Sequence, residues 1–377
     1  MDYPELVRLR KELHQHPELS GQEKWTSARI ISELQIFNPG QLMENLGGFG
    51  VAAIFIPENG RFDKTILFRA ELDALPLHES SDLPHSSKNS GVMHACGHDG
   101  HMAILLGLAK KIRKKTFSDK RYILLFQPSE ETGRGAGQLL HDDRFKDLRI
   151  DCGYALHNLP GFRENSVYIK YGTFACASAG FEIVFKGKAS HAAYPEQGVN
   201  PALTVAGFIR KISHELSHFF EDDSNGKHTF TFIKMGEPAF GMSPGEAKVG
   251  ITVRASTDEK LKEAFKLTES AVSQSGKHFK GTITLSRKEP FTAVINHQDG
   301  VDKVKKATQE LGLQIEELTD PLPWSEDFGE FGKKFPVTLF GIGAGMNGSP
   351  LHSETYDFND RLIETGIHIF EKIMELE

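Results

Sequence analysis

Cysteine is scarce in this chain: there are 3 in 377 residues, Cys96, Cys152 and Cys176, odd in number and far apart. That argues against a disulfide framework and suits a reducing compartment. Basic charge is not in excess either. Lys and Arg number 44 against 51 Asp and Glu, a formal net charge of -7, where a nucleic-acid binder would show a basic face. No apolar run approaches the length that spans a bilayer, and the start, Met1-Asp2-Tyr3-Pro4-Glu5, has neither the basic nor the apolar region of a secretory signal. Internal repeats and low-complexity tracts are missing as well. The expectation is a soluble cytoplasmic protein with no nucleic-acid or membrane partner. At 377 residues the chain is long for one core, so two domains are expected.

What the chain has in quantity is histidine, 17 residues, and position must decide which of them matter. Cys96-Gly97-His98-Asp99-Gly100-His101 sets a thiol and two imidazoles ahead of an apolar helical run, Met102 to Ile112. Thiolate and neutral imidazole are preferred ligands of zinc and its borderline-soft neighbours, and a C-x-H step lets both reach one cluster from a tight turn. Two ligands do not close a site, so the others must come from elsewhere in the chain.

A helix is expected over Leu6 to His14, and Ser20-Gly21-Gln22-Glu23 reads as a capping box that opens a second, with Trp25, Ala28, Ile31 and Leu34 along its apolar face. Asn38-Pro39-Gly40 stops helical structure. Strands follow at Gly50 to Ile56 and Thr65 to Phe68, split by the turn Pro57-Glu58-Asn59-Gly60, and the second runs into Asp73. Beyond the helix that begins near His98, the continuous apolar run Tyr122 to Phe126 suits a strand buried on both faces and leads to Glu130 and Glu131. Cys152 to Leu156 is a short strand ending in His157. Val337 to Gly341 is another, with His352 in the loop beyond it and a last amphipathic helix from Asn359 to Met374. This alternation predicts a doubly wound, mixed α/β sheet, and such sheets place their sites outside the carboxyl ends of the strands. Asp73, Glu130, Glu131, His157 and His352 each fall just past a strand end.

From about Ser178 to Lys288 the pattern changes. Phe181 to Phe185, Pro201 to Phe220, His228 to Lys234, Lys248 to Ala255, Asp258 to Ser275 and Thr282 to Leu285 read as strand, helix, strand, strand, helix, strand. That is the order of a ferredoxin-like α+β domain. Because the α/β pattern resumes afterwards, the expected organisation is a discontinuous catalytic domain, 1–177 and 289–377, interrupted by an inserted domain at 178–288.

Cys96, His98, Glu131, His157 and His352 are more ligands than one tetrahedral ion needs, which suggests two metals sharing a bridge. Paired metals lower the pKa of a bridging water and polarise a carbonyl, the equipment for amide hydrolysis. Glu130, beside a ligand but not needed as one, is the general base that takes a proton from the water and returns it to the departing amine. Asp73 orients a ligand or the metal-bridging group.

Phe68 to Pro76, His94 to His101, Phe126 to Glu131, Ala155 to His157, Ser190 to Pro195, Trp324 to Phe328 and Leu351-His352 together resemble the aminoacylase/carboxypeptidase family of dinuclear metallohydrolases. The branch is that of hippurate hydrolase, auxin-conjugate amidohydrolases and N-acetyldiaminopimelate deacetylase. The resemblance covers nearly the whole chain and implies that the insertion is a lid. It implies two Zn, Mn, Co or Ni ions on Cys96, His98, Glu131, His157 and His352, with Glu130 as base; it does not make His101 a ligand, and three residues on from His98 that side chain is expected to pack beside the site. It further implies that His191, on the lid, helps stabilise the oxyanion when lid and catalytic domain close. Arg254 is the candidate for holding a substrate carboxylate. The substrate class would then be N-acyl amino acids, with short peptides, cut as by a metallo-carboxypeptidase or dipeptidase, as the alternative. A homodimer through the lid is a partner the resemblance admits. Two departures stand out: Glu71 replaces the family's usual Asp, and Phe240-Gly241-Met242-Ser243 stands where an Asn usually precedes the lid Arg by about a dozen residues.

Two readings of other classes are weaker. A thiol hydrolase with Cys96 as nucleophile and His98 as its base leaves Glu131, His157 and His352 unexplained. A non-catalytic metal- or peptide-binding relative has no use for Glu130.

Overall fold

A computed structural model describes residues 2–115 and 119–377. Helix Tyr3–Gln15 opens the chain behind a capping box formed by Asp2 and Glu5. The capping box expected at Ser20 to Glu23 does not form: helix Lys24–Ile36 takes no cap from Glu23, and its Trp25 and Thr26 amides donate instead to Glu18 at 3.0 and 2.8 Å. Tertiary partners outcompete the local ones. The Ser20 hydroxyl donates to Asp73 at 2.6 Å, and the Glu23 carboxylate turns away to accept from the Ser129 amide at 2.8 Å.

The chain divides into two compact units, Met1–Phe174 with Val294–Thr319 and Glu326–Glu377, and Ala175–Ala293 with Asp320–Ser325. The first is built on an eight-stranded sheet in the order Gln41–Leu46, Gly50–Phe55, Lys120–Gln127, Lys64–Glu71, Cys152–Pro160, Val337–Gly345, Val167–Ile169, Ile315–Glu317. The four strands from Lys120–Gln127 to Val337–Gly345 run parallel, and antiparallel pairings flank them, so the sheet is mixed. Gln41–Leu46, Val167–Ile169 and Ile315–Glu317 were not expected. They are short and lie toward the sheet's two edges, where pairing rather than an apolar run defines a strand.

Cys152–Pro160 also runs further than expected. Its parallel register with Val337–Gly345 continues through His157 opposite Gly341 and Asn158 opposite Ile342. His157 therefore sits within a strand, not past its end.

Helix His98–Lys114 buries Met102, Ile104, Leu105, Leu106, Leu108 and Ile112, and packs on helices Tyr3–Gln15 and Leu362–Leu376. Each such aliphatic side chain withdrawn from water contributes roughly 1.5–3 kcal/mol. That anchorage fixes the helix, and with it His98 at its first turn.

The second unit has a four-stranded antiparallel sheet in the order Lys227–Met235, Glu246–Ala255, Ala177–Lys186, Thr282–Phe291. Helices Ala202–Phe219 and Asp258–Gly276 share its core, where Phe181, Ile183 and Phe185 meet Phe208, Ile212, Leu261 and Ala264. In chain order the sheet reads second, third, first, fourth strand, the ferredoxin-like arrangement. Among the described residues no helix is long and apolar enough to cross a membrane.

Candidate active site

Gly97 makes the turn that presents Cys96 and His98. It has φ +95°, and a Cβ there would lie 2.3 Å from Asn158 Oδ1, so both conformation and space require glycine. The sulfur of Cys96 lies 3.5 Å from His157 Nε2, and the ligand atoms of Cys96, His98 and His157 all lie within 4.8 Å of one another. Glu131 joins Cys96 and His352 in a second such group, and His98 and Glu130 in a third. The first unit thus brings Cys96, His98, Glu130, Glu131, His157 and His352 together.

The imidazoles are oriented for ligation. His98 Nδ1 donates to the Asp73 carbonyl at 2.8 Å, so the lone pair belongs to Nε2. That Nε2 is buried without a hydrogen-bond partner, and so is Glu131 Oε1. His157 Nδ1 donates to the Asn158 carbonyl at 2.9 Å, turning Nε2 toward Cys96. Burial, and then the neighbouring His101, lower His157 to about 3, so it is neutral. Burial first, and then a nearby carboxylate, Glu131 for Cys96, Glu326 for Glu130 and Asp73 for Glu131, raise these three groups well above their ordinary values. Orphaned lone pairs beside crowded buried anions fit a divalent cation, which would satisfy the first and relieve the second.

Asp73 does not point at this cluster as a ligand. One carboxylate oxygen accepts from the Glu130 amide at 3.0 Å, and the other from the Glu131 amide at 3.0 Å and the Ser20 hydroxyl. It holds the backbone that carries both glutamates. His352 has φ +61°, and its amide donates to the Ala95 carbonyl at 2.8 Å, tying the loop to the Cys96 turn. Its Nε2 is 3.8 Å from Glu131.

Sequence reasoning missed the charged layer against these groups. Arg69, fully buried, donates from Nε to Gln127 at 2.9 Å, from Nη1 to Glu71 and Glu326, and from Nη2 to Glu326 at 2.8 Å and Asp327 at 2.9 Å. Burial opposes its charge, but the carboxylates of Glu326, Glu71 and Asp327 hold it firmly protonated. The available signal was Arg69 and Glu71 two apart on one face of a buried strand, where charges require partners. Glu71 also meets His101 Nδ1 at 2.7 Å, and His101 Nε2 meets Asn158 at 2.8 Å. Glu71, His98 and His101 are close enough to share an ion, but both nitrogens of His101 are engaged by protein.

Behind His98, its neighbour Asp99 accepts from His14 Nδ1 at 2.9 Å, and His14 Nε2 lies 3.5 Å from Glu79. Burial works against the charged imidazole, but Asp99 and Glu79 raise it from 6.5 to about 9. Burial likewise works against the Glu79 carboxylate, and His14 holds it from 4.5 down to about 2. The stabilising share of His14 is complete below its unfolded value near 6.5 and disappears as pH rises through about 9. That of Glu79 is present above about 4.5 and fades as pH falls toward 2. His14→Gln should therefore lower Tm most between pH 4.5 and 6.5 and least above pH 9. A Tm difference that stays flat across that range removes the charged pair from the account.

His191 and Arg254 belong to the second unit. His191 lies on a short strand paired with Met242, and its Nδ1 accepts from the Ala193 amide at 3.0 Å, which leaves the proton on Nε2. Arg254 donates from Nη1 to the Pro323 carbonyl at 3.2 Å and the Ser325 hydroxyl at 3.0 Å. No carboxylate pairs with it among the described residues.

Known proteins are similar to this chain over nearly its whole length. The hippurate hydrolase of Campylobacter jejuni is 29% identical over 98% of this chain and 95% of its own. The N-acetyldiaminopimelate deacetylase of Enterococcus faecalis is 28% identical over 97% and 96%. In fold, the Bacillus subtilis YXEP protein, described as a dinuclear metal binding peptidase, superposes with a TM-score of 0.81 at 24% identity, over 99% of this chain and 98% of its own. The family match runs over residues 67–376 and takes in all nine residues singled out above, from Asp73 to His352, and on that span the chain belongs to peptidase family M20/M25/M40.

Proposed function

We propose that this chain is a metal-dependent amidohydrolase that cleaves the amide of N-acyl amino acids. Two divalent ions, Zn, Mn, Co or Ni, are assigned to Cys96, His98, Glu131, His157 and His352. The reading rests on the buried, unpartnered His98 Nε2 and Glu131 Oε1 within one cluster of soft and anionic donors. When bound, the ions would polarise the acyl carbonyl and make water a nucleophile near neutral pH. Glu130 takes a proton from the attacking water and hands it to the departing amine nitrogen. Asp73 keeps the Glu130 and Glu131 backbone in place. His191 offers its Nε2–H to the carbonyl oxygen as negative charge develops there.

The choice of substrate is supported by the relatives named for hippurate and N-acetyldiaminopimelate, both N-acyl amino acids, and by Arg254. With Nη1 held by Pro323 and Ser325, the Nε and Nη2 edge is left for a substrate carboxylate. The second unit is assigned as the lid. Its edge strand Lys227–Met235 exposes Phe232, Ile233 and Met235, and we assign this edge to a second copy of the chain. Three free cysteines, two of them buried, favour the cytoplasm.

Metal-loaded protein is tested on N-acetyl, N-benzoyl and indole-acetyl amino acids, N-acetyldiaminopimelate and dipeptides, with the best substrate repeated as its carboxamide. About two metals per chain are expected, and chelation should abolish turnover. The carboxamide should lose about 10- to 100-fold in kcat/KM, the worth of one charged hydrogen bond, and Arg254→Ala should erase that difference. Full activity without metal ends the metallohydrolase reading; equal cleavage of acid and amide ends the role of Arg254.

A further inference from the structure

The turn that carries Glu130 and Glu131 is not relaxed. Ser129, immediately before them, has φ +57°, a conformation that a residue with a Cβ keeps only where its surroundings impose it. Its amide donates to Glu23 Oε1 at 2.8 Å, and its hydroxyl lies 3.3 Å from the same oxygen. Its carbonyl accepts from the amides of Arg134 and Gly135 at 3.3 and 3.1 Å. Three successive amides, those of Ser129, Glu130 and Glu131, thus end on two buried carboxylates, Glu23 and Asp73.

Glu23 has no evident reason to be buried on its own account. It is 0% exposed, its Oε2 has no hydrogen-bond partner, and the helix that follows takes no cap from it. Its Oε1 accepts from the Ser129 turn and from the nearby Gly21 amide at 2.9 Å. A half-satisfied buried carboxylate is unfavourable in itself, so what it holds must account for it.

We propose that Glu23 is a positioning residue for catalysis: by gripping the Ser129 amide it keeps the turn in its left-handed conformation and so aims the Glu130 carboxylate. The inference rests on Glu130 being the general base, and it concerns a residue 107 positions earlier in the chain whose carboxylate accepts from the Gly21 amide and from Ser129.

Three variants of the metal-loaded full chain test it, with kcat, KM, bound metal and Tm measured for each. Glu23→Ala should lower kcat about tenfold or more, with KM and metal within about twofold of the parent, since small displacements of a reacting group are costly in rate. Glu23→Gln keeps an acceptor oxygen and should recover kcat to within about threefold of the parent. Parental kcat in folded Glu23→Ala, or equal losses in the Ala and Gln variants, overturns the proposal. Should Glu23→Ala not fold, Glu23→Ala/Ser129→Gly is compared with Ser129→Gly, because glycine takes this φ without strain but takes negative φ as readily, so the turn still needs the grip of Glu23 to stay left-handed. A lower kcat in the double variant supports the proposal, and equal values overturn it. Glu130→Gln in the same series separates the two questions. If it too has parental kcat, the base assignment fails and the proposal with it. A loss in Glu130→Gln without one in Glu23→Ala overturns the proposal alone.

Discussion

Glu130→Gln is expected to lower kcat by at least about 10²-fold while bound metal stays at the parental level, because the change removes a proton carrier and no ligand. Glu131→Gln should lose metal as well as rate. The two side chains leave the same turn, with their amides clamped by the same Asp73 carboxylate. Both lie 3.9 Å from His98 Nε2, but Glu131 also approaches His352 at 3.8 Å and groups with Cys96. Elemental analysis beside steady-state kinetics separates the roles. Two variants alike in both metal content and rate would show that base and ligand had been wrongly distinguished.

Arg69→Met should destabilise the first unit by about 3–5 kcal/mol, the cost of breaking a buried ion pair from one side. The carboxylates of Glu71, Glu326 and Asp327 would remain buried, with their shared cation gone. At roughly 2–4 °C per kcal/mol for a unit of this size, Tm should fall by at least about 6 °C. Lys333→Met, which breaks the exposed pair with Glu330, should leave Tm nearly unchanged, since solvent screens such pairs. Equal shifts in the two variants, read by thermal unfolding at constant pH and salt, would mean that the Arg69 cluster holds nothing together.

Much of this protein was legible before any coordinates. Cys96 and His98 announce themselves because ligand residues two apart across a glycine leave a local pattern. Glu130, Glu131 and His352 do so because apolar runs ahead of them mark buried strands, and a polar residue just past such a strand has few structural reasons to be there. Residue chemistry and periodicity also determined the α/β class and the ferredoxin-like insertion, since both are written at short range in the chain.

The tertiary structure decided what depends on partners distant in sequence. Arg69 and Glu326 are 257 positions apart, and Glu23 and Ser129 are 106 apart, so no local pattern distinguishes them from surface charge. The expected box at Ser20 to Glu23 failed for the same reason: its two polar side chains had better partners at Asp73 and Ser129. Asp73 was expected to orient a ligand or the bridging group, but only the fold shows through which atoms it can do so: its carboxylate accepts from the Glu130 and Glu131 amides at 3.0 Å and its carbonyl from His98 Nδ1 at 2.8 Å. The sequence alone singled out the candidate groups for the chemistry, because chemistry follows residue type. The fold alone decided what holds them, because a buried charge or amide is satisfied by whichever partner the folded backbone brings within hydrogen-bond reach.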